Sequence, residues 1–282
     1  MRQADREYVR AVRHIVEHGT RKSTRMSQDT ISASGVQMRF NLERDGFPLL
    51  EFKSVPLRIV CVELAWFLSG RTNIKWLQER KVHIWDDDAA KAKERGFSYG
   101  TGELGPVYGR QWRAFGGVDQ IENLLKLIRE QPSSRRMIVS AWNPVDVPNM
   151  VLPPCHSFWQ VVCDDDKHMD LLLTMRSGDF GLGLPFNIAS YAVLLKLLAS
   201  ETGFVARELI ITVNDAHVYT DHVEPLLERF ASTAEESSGH PISVDLPQSI
   251  SGFIEAHEGD VRFKPVVENY APGPKLPLTL HT

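Results

Sequence analysis

The sequence predicts a mixed α/β (α+β) fold in which one sheet is covered by helices. Three observations carry this expectation. Stretches whose apolar residues alternate, as in a half-buried strand, are interleaved with stretches of helical period. Across 282 residues there is no internal repeat, low-complexity tract or long linker, so residues 1–282 read as a single domain. Hydrophobic content of 43% with 24% charge is ordinary for a globular enzyme and ample for a core.

Residues 4–18 read as a helix, with Tyr8, Val9, Val12 and Ile15 on one face and Gly19 as the stop. VQMRFNL (36–42) alternates like a strand. LRIVCVELAWFLSG (57–70) is a long apolar helix that carries one carboxylate, Glu63, inside the apolar run. VDQIENLLKLIREQ (118–131) is an amphipathic helix and RMIVSAWN (136–143) a strand. HSFWQVVC (156–163) and MDLLLTMRS (169–177) are strands joined by the turn DDDK. PFNIASYAVLLKLLASETG (185–203) is a buried helix opening with Pro185, and ELIITVNDAHVYT (208–220) is a further strand. The C-terminal third is richer in proline and loops, and its elements are not legible.

Composition removes several function classes. A formal net charge of -4 gives no broad attraction for nucleic acid or an acidic membrane, so any bound anion must be held by a local arginine cluster. Cys61, Cys155 and Cys163 are too few and too irregularly spaced for a disulfide framework or a zinc site, so no metal is expected and a reducing cytoplasm fits best. The first residues are charged and amphipathic with no apolar signal core. No stretch reads as approaching the ~20 apolar residues that span a bilayer.

Four constellations of residues offer chemistry. Cys155 lies in PPCHSFWQ, where two prolines stiffen the backbone and His156 adds a polar neighbour. A cysteine is commonly a small buried hydrophobe; these neighbours raise the alternative reading of a nucleophile. Glu63 is either a helix edge facing solvent or a desolvated carboxylate whose raised pKa lets it move protons near neutrality. Arg25, Arg135, Arg136 and Arg176 lie in polar turns or at strand ends. Singly they are solvated charges; together with Ser177 they can clamp a phosphate, whose oxygens match guanidinium forks. GLGLP (181–185) is not followed by Lys-Ser or Lys-Thr and is no P-loop. Asp179, Asn187, His217 and Tyr219 are either satisfied core polar groups or ligand contacts, and an asparagine amide can read the edge of a heterocycle.

The motifs IWD, ELGPVYGRQWRAF, SSRRMIVSAWNP, LPPCHSFWQ, RSGDFGLGLPFNIASYA and NDAHVYTDH follow one another along nearly the whole chain. In this order they resemble thymidylate synthases and the related nucleotide hydroxymethylases. The resemblance implies a large twisted mixed sheet covered by helices, with the sheets of two subunits stacked back to back in an obligate homodimer. It implies a soluble cytoplasmic enzyme that transfers a one-carbon unit from 5,10-methylenetetrahydrofolate to C5 of dUMP. By position, Cys155 matches the nucleophile that adds to C6 of the pyrimidine, with arginines nearby to favour its thiolate. Glu63 matches the carboxylate that organises water and proton transfer, and Tyr108 the tyrosine near the C5 proton. Arg25 and Arg176, with Ser177 beside them, match phosphate ligands, and Arg135 and Arg136 the pair that reaches the phosphate of the other subunit. His217 and Tyr219 match contacts to the sugar 3′ hydroxyl. Asn187 matches the amide that reads the base; asparagine goes with uracil, aspartate with cytosine. Trp85 and Asp179 match contacts to the folate, and Lys53 a contact to its tail.

Several positions depart from the family pattern. MSQD follows Arg25 where Thr-Gly-Thr-Gly is usual; Met175 replaces a glutamine; Asp88 stands where an aromatic residue is usual; Gly181 replaces a bulky residue; and the tail, KLPLTLHT, ends with two polar residues beyond the apolar run. Loss of apolar bulk at Asp88 and Gly181 is expected to admit water to the cofactor side. Water capture of the exocyclic methylene intermediate would then give 5-hydroxymethyl-dUMP in place of dTMP. The favoured expectation is therefore a deoxyuridylate hydroxymethylase, of the kind that serves viruses building modified DNA, and its compartment would then be a host cytoplasm. The alternative is a thymidylate synthase. A dCMP hydroxymethylase, or a family fold kept as a non-catalytic binding protein, fits less well, because Asn187, Cys155 and the arginines are all present.

Overall fold

The computed structural model describes residues 1–24, 28–233, 239–259 and 263–281. In chain order the elements are α1 (Gln3–His18), β1 (Thr20–Lys22), β2 (Thr30–Asn41), α2 (Leu42–Asp45), α3 (Leu57–Leu68), α4 (Lys75–Glu79), α5 (Asp86–Ala90), α6 (Tyr108–Ala114) and α7 (Gln120–Glu130). Then come β3 (Ile138–Ser140), β4 (His156–Cys163), β5 (His168–Asp179), α8 (Gly183–Thr202), β6 (Val205–Tyr219), α9 (Thr220–Ser232), β7 (Ser243–Asp245), α10 (Ile250–Gly259) and β8 (Val266–Glu268).

A six-stranded mixed sheet in the order β1-β2-β6-β5-β4-β3 organises the chain. Its pairs are antiparallel except β5 with β6, which run parallel. A parallel pair needs a crossover, and α8 supplies it. Pro185 lies in the first turn of α8, where its missing N–H is harmless. The helix ends at Gly203, in a left-handed conformation (φ +74°) that lets its N–H reach the Ala199 and Ser200 carbonyls. Helices α3, α6 and α10 pack around α8 and one another, and Trp66, Trp112, Trp159 and Tyr191 are among the largest wholly buried side chains.

Helix α8 corrects one expectation. It is long and apolar enough to cross a bilayer, but most of it is buried in the core of this fold. Other differences are local. Strand β2 begins six residues before the alternating stretch, because TISASG is too small and polar to show a period. The expected strand 136–143 shrinks to Ile138–Ser140 at the sheet edge. Helix α9 was hidden by its internal Pro225.

Helices cover one face of the sheet. On the other, Ile138 of β3 and Phe158 and Val162 of β4 are between 37% and 45% exposed. They lie beside Gln160, Leu172 and Thr174 on a face that no described helix covers at this edge.

The register sets the site. The pairing brings His156 opposite Met175, Ser177 opposite Asp215, and Asp179 opposite His217, all toward one end of β4, β5 and β6. Asn187, in the first turns of α8, follows directly from that end of β5.

Candidate active site

Cys155 sits just before β4, where the chain is clamped from two sides. Arg176 of β5 donates from Nε to the Pro154 carbonyl (2.9 Å) and from Nη2 to the Pro153 carbonyl (2.8 Å). The same Nη2 lies 3.6 Å from Cys155 Sγ. On the other side, the Tyr108 hydroxyl accepts the backbone N–H groups of Cys155 (2.7 Å) and His156 (3.3 Å). Burial nevertheless pushes the Cys155 thiol above its ordinary pKa; Arg176 pulls it down and Asp88 pushes it up. Arg176 thus favours the thiolate, and desolvation works against it.

Glu63 faces the cleft from the middle of α3, where the helix is otherwise apolar on nearly all sides. Burial raises its carboxyl to about 7, opposed by the Trp85 indole, whose Nε1–H donates to Oε1 at 2.7 Å. Glu63 is thus half-buried, with one oxygen bonded to a buried indole, and not an open helix edge. Tyr108, the first residue of α6, packs against Phe67 of α3 (4.7 Å between ring centroids). Burial raises its phenol above the usual range.

His156, a residue with no expected role, is electrostatically coupled to the Asn187 side chain: burial lowers the imidazole to about 4 against the pull of Asn187, so it stays neutral at pH 7. Its ring stands edge-on to Tyr191 at 5.2 Å. The adjacency of Cys155 and His156 therefore puts the thiol and the imidazole together at the start of one strand.

His217 and Tyr219 are on β6 with their rings 5.7 Å apart. His217 Nδ1 lies 3.2 Å from the Asp215 carbonyl, which only accepts, so this nitrogen carries a proton. Arg25 lies outside the described residues. Arg135 and Arg136 are not brought to Cys155: they are exposed beside Gln160 and Val161, six residues along β4, or about 20 Å at strand rise.

On the side assigned to the folate, Asp179 Oδ1 accepts the Gly181 N–H (2.8 Å) and Oδ2 the Leu182 N–H (3.3 Å), which fixes the turn into α8. Lys53 is only 6% exposed. Its Nζ donates to the Gly181 carbonyl, and burial lowers it to about 8 against the pull of Asp179. Its ammonium is thus turned inward under the turn instead of outward to a folate tail.

The two positions expected to admit water do not open gaps. Asp88 is tied to Arg95 Nη1 at 2.8 Å, and that guanidinium also reaches the Val151 carbonyl. The space beside Gly181 is filled: a Cβ there would lie 2.4 Å from Nδ1 of His222, which is 1% exposed. A neighbouring side chain has taken the volume that the glycine vacated.

Asp221, His222 and His281 present ligand-type atoms within 4.8 Å of one another. These atoms already have protein partners, one of them within the trio. His222 Nε2 bonds the Thr279 carbonyl at 2.8 Å, and His281 Nε2 pairs with the Asp221 carboxylate at 3.0 Å. The trio clasps the C-terminal segment to the start of α9.

His156, Arg95 and His222 were missed by the sequence reading. Two of them lie inside recognised motifs, LPPCHSFWQ and NDAHVYTDH, but their partners are distant in the chain.

Comparison with known proteins supplies a family. A family model described as thymidylate synthase matches residues 6–281. A thymidylate synthase of Mesoplasma florum is 45% identical over 244 residues, which is 79% of this chain and 84% of that protein.

Proposed function

The chain belongs to the thymidylate synthase family, and from that premise we propose that it methylates dUMP reductively to dTMP, with 5,10-methylenetetrahydrofolate as cosubstrate. It is a folate-dependent enzyme acting at C5 of a pyrimidine nucleotide. The donor set suits the folate: Trp85 offers an aromatic wall anchored on Glu63, and Asp179 offers a fixed carboxylate for pterin N–H groups.

The folate supplies a one-carbon unit and, after its transfer, a hydride. The remaining chemistry falls to the chain. The Cys155 sulfur bonds to C6 of the uracil, and C5 becomes an enolate-like nucleophile that the free ring lacks. Because the thiol is raised at rest, Arg176, 3.6 Å from Sγ, acts by stabilising the thiolate as it forms. Glu63, near 7, gives and takes protons at working pH. Tyr108 holds the backbone of the nucleophile and places a phenol near C5. Asn187, supported by neutral His156, reads the uracil edge. His217 and Tyr219 meet the sugar, and Arg25, Arg176 and Ser177 the phosphate. Departure of the thiolate from C6 restores the ring.

One observation carries the choice of product: the cavity expected at Gly181 is filled by His222, which leaves no entry for water there. A second reading, water capture to 5-hydroxymethyl-dUMP, draws on the Asp88 carboxylate. Asp88 is close enough to Cys155 to raise its pKa, and it makes that wall of the cleft polar.

Two copies stacked back to back through the open sheet face would cover Ile138, Phe158 and Val162. The same stacking would carry Arg135 and Arg136 toward the partner's phosphate site, which explains their distance from Cys155 in one chain. Three free cysteines suit a reducing cytoplasm.

The test is product identity. With dUMP and methylenetetrahydrofolate, the reaction yields dTMP and the absorbance of dihydrofolate. A product heavier by one oxygen atom, with tetrahydrofolate, would select the second reading.

A further inference from the structure

We infer that His222 is a positioning residue that seals the cleft against water and so decides which product leaves the enzyme. The inference rests on the reaction just proposed and deepens it.

His222 is the third residue of α9 and is 1% exposed. Three parts of the site meet on its ring. Its Nε2–H donates to the Thr279 carbonyl at 2.8 Å, holding the C-terminal segment. The ring stands edge-on to Tyr219 at 5.5 Å and lies 5.4 Å from His281, which pairs with Asp221. On the opposite edge, Nδ1 would be 2.4 Å and Cγ 3.2 Å from a Cβ placed on Gly181. The gap between ring and glycine is therefore smaller than a methyl group, too small for a water molecule. Among the described residues Nδ1 has no hydrogen-bond partner, so on this side the ring acts through its bulk.

The glycine it covers is the hinge of the folate side. Gly181 donates its N–H to Asp179 and accepts from Lys53 at its carbonyl. A shift of His222 would loosen the turn that fixes Asp179 and, through Thr279, the C-terminal segment. Sugar contact, folate contact and tail are thus joined by one side chain in the volume left free by the residue at 181.

The consequence falls at the branch of the reaction. At that point the nucleotide carries an exocyclic methylene on C5, with the Cys155 sulfur still on C6. Hydride adding to the methylene carbon pushes an electron pair through the ring and expels the thiolate. The product is a methyl group, and tetrahydrofolate is oxidised to dihydrofolate. Water adding to the same carbon loses a proton and expels the same thiolate. The product is a hydroxymethyl group, and the folate stays at the tetrahydro level. Both routes use the same catalytic groups, so the partition between them depends on water access.

The test compares the ratio of hydroxymethyl-dUMP to dTMP, by mass spectrometry, in wild type, His222→Gly, His222→Gln and Gly181→Ala. A ratio is unaffected by the amount of folded enzyme, so a purely structural role would not move it. His222→Gly opens the gap and Gly181→Ala displaces the ring; each should raise the ratio by about tenfold or more. His222→Gln, which keeps bulk and an N–H for Thr279, should stay within about threefold of wild type. If wild type forms dTMP and neither His222→Gly nor Gly181→Ala changes the ratio, the inference is overturned alone. If wild type itself forms hydroxymethyl-dUMP, the proposed reaction fails and the inference falls with it.

Discussion

The Tyr108 hydroxyl accepts the backbone N–H of Cys155 at 2.7 Å, so the phenol expected beside the reacting carbon also fixes the nucleophile that attacks it. A second bond, from the His156 N–H at 3.3 Å, ties the same oxygen to the residue supporting Asn187. Tyr108→Phe keeps the ring contact with Phe67 but leaves both N–H groups without this acceptor. It should cost about 1–3 kcal/mol of stability in urea unfolding and lower kcat by about 10- to 100-fold with little change in KM. An unchanged kcat would separate Tyr108 from the chemistry.

Glu63 titrates near neutrality because burial raises it to about 7 against the Trp85 indole N–H. The indole favours the charged carboxylate, so Trp85→Phe should move the Glu63 ionisation to higher pH. The profile of kcat/KM against pH should show a limb near 7 in wild type, displaced upward in Trp85→Phe and absent in Glu63→Gln. A limb that persists in Glu63→Gln would assign it to another group.

Stability should carry the signature of Asp5. This carboxyl is 1% exposed and accepts the Glu51 N–H, yet burial raises it from 3.8 to about 6. Its protonated form is favoured in the folded state. The contribution is therefore complete below pH 3.8 and is lost as pH rises through 6, by about 3 kcal/mol in all. Denaturant melts across that window should show the decline, and Asp5→Asn should flatten it.

Base choice should follow Asn187. Replacing it with aspartate removes the amide donor and changes what the site offers at the base edge. Asn187→Asp should shift the ratio of kcat/KM for dUMP over dCMP toward dCMP by about 100-fold. An unchanged ratio would remove the residue from base reading.

Much of this site was legible in the sequence where function demanded an unusual residue locally. Glu63 stood out because a carboxylate interrupts VCVELAWFL, and Cys155 because prolines precede it. Strands β4, β5 and β6 and helix α8 were legible because burial imposes a clear period or a continuous apolar run. What could not be read were contacts between distant positions. Lys53 meets Gly181 across 128 residues and His222 meets Thr279 across 57, and no local pattern announces either. For that reason Gly181 was taken for a hole: its sequence shows the missing side chain but not the imidazole in its place. The pull of an arginine on Cys155 was legible for the same local reason, whereas the opposing desolvation belongs to the fold.

The central claim is a transient bond from Cys155 to C6 of the pyrimidine, and a fluorinated substrate tests it most directly. With 5-fluoro-dUMP and methylenetetrahydrofolate, the C5 fluorine cannot leave as a proton, so the adduct should accumulate. Peptide mass spectrometry should then find nucleotide and folate together on Cys155, and none on the Cys155→Ala protein. An unmodified Cys155, or an adduct on Cys61 or Cys163, would contradict the account.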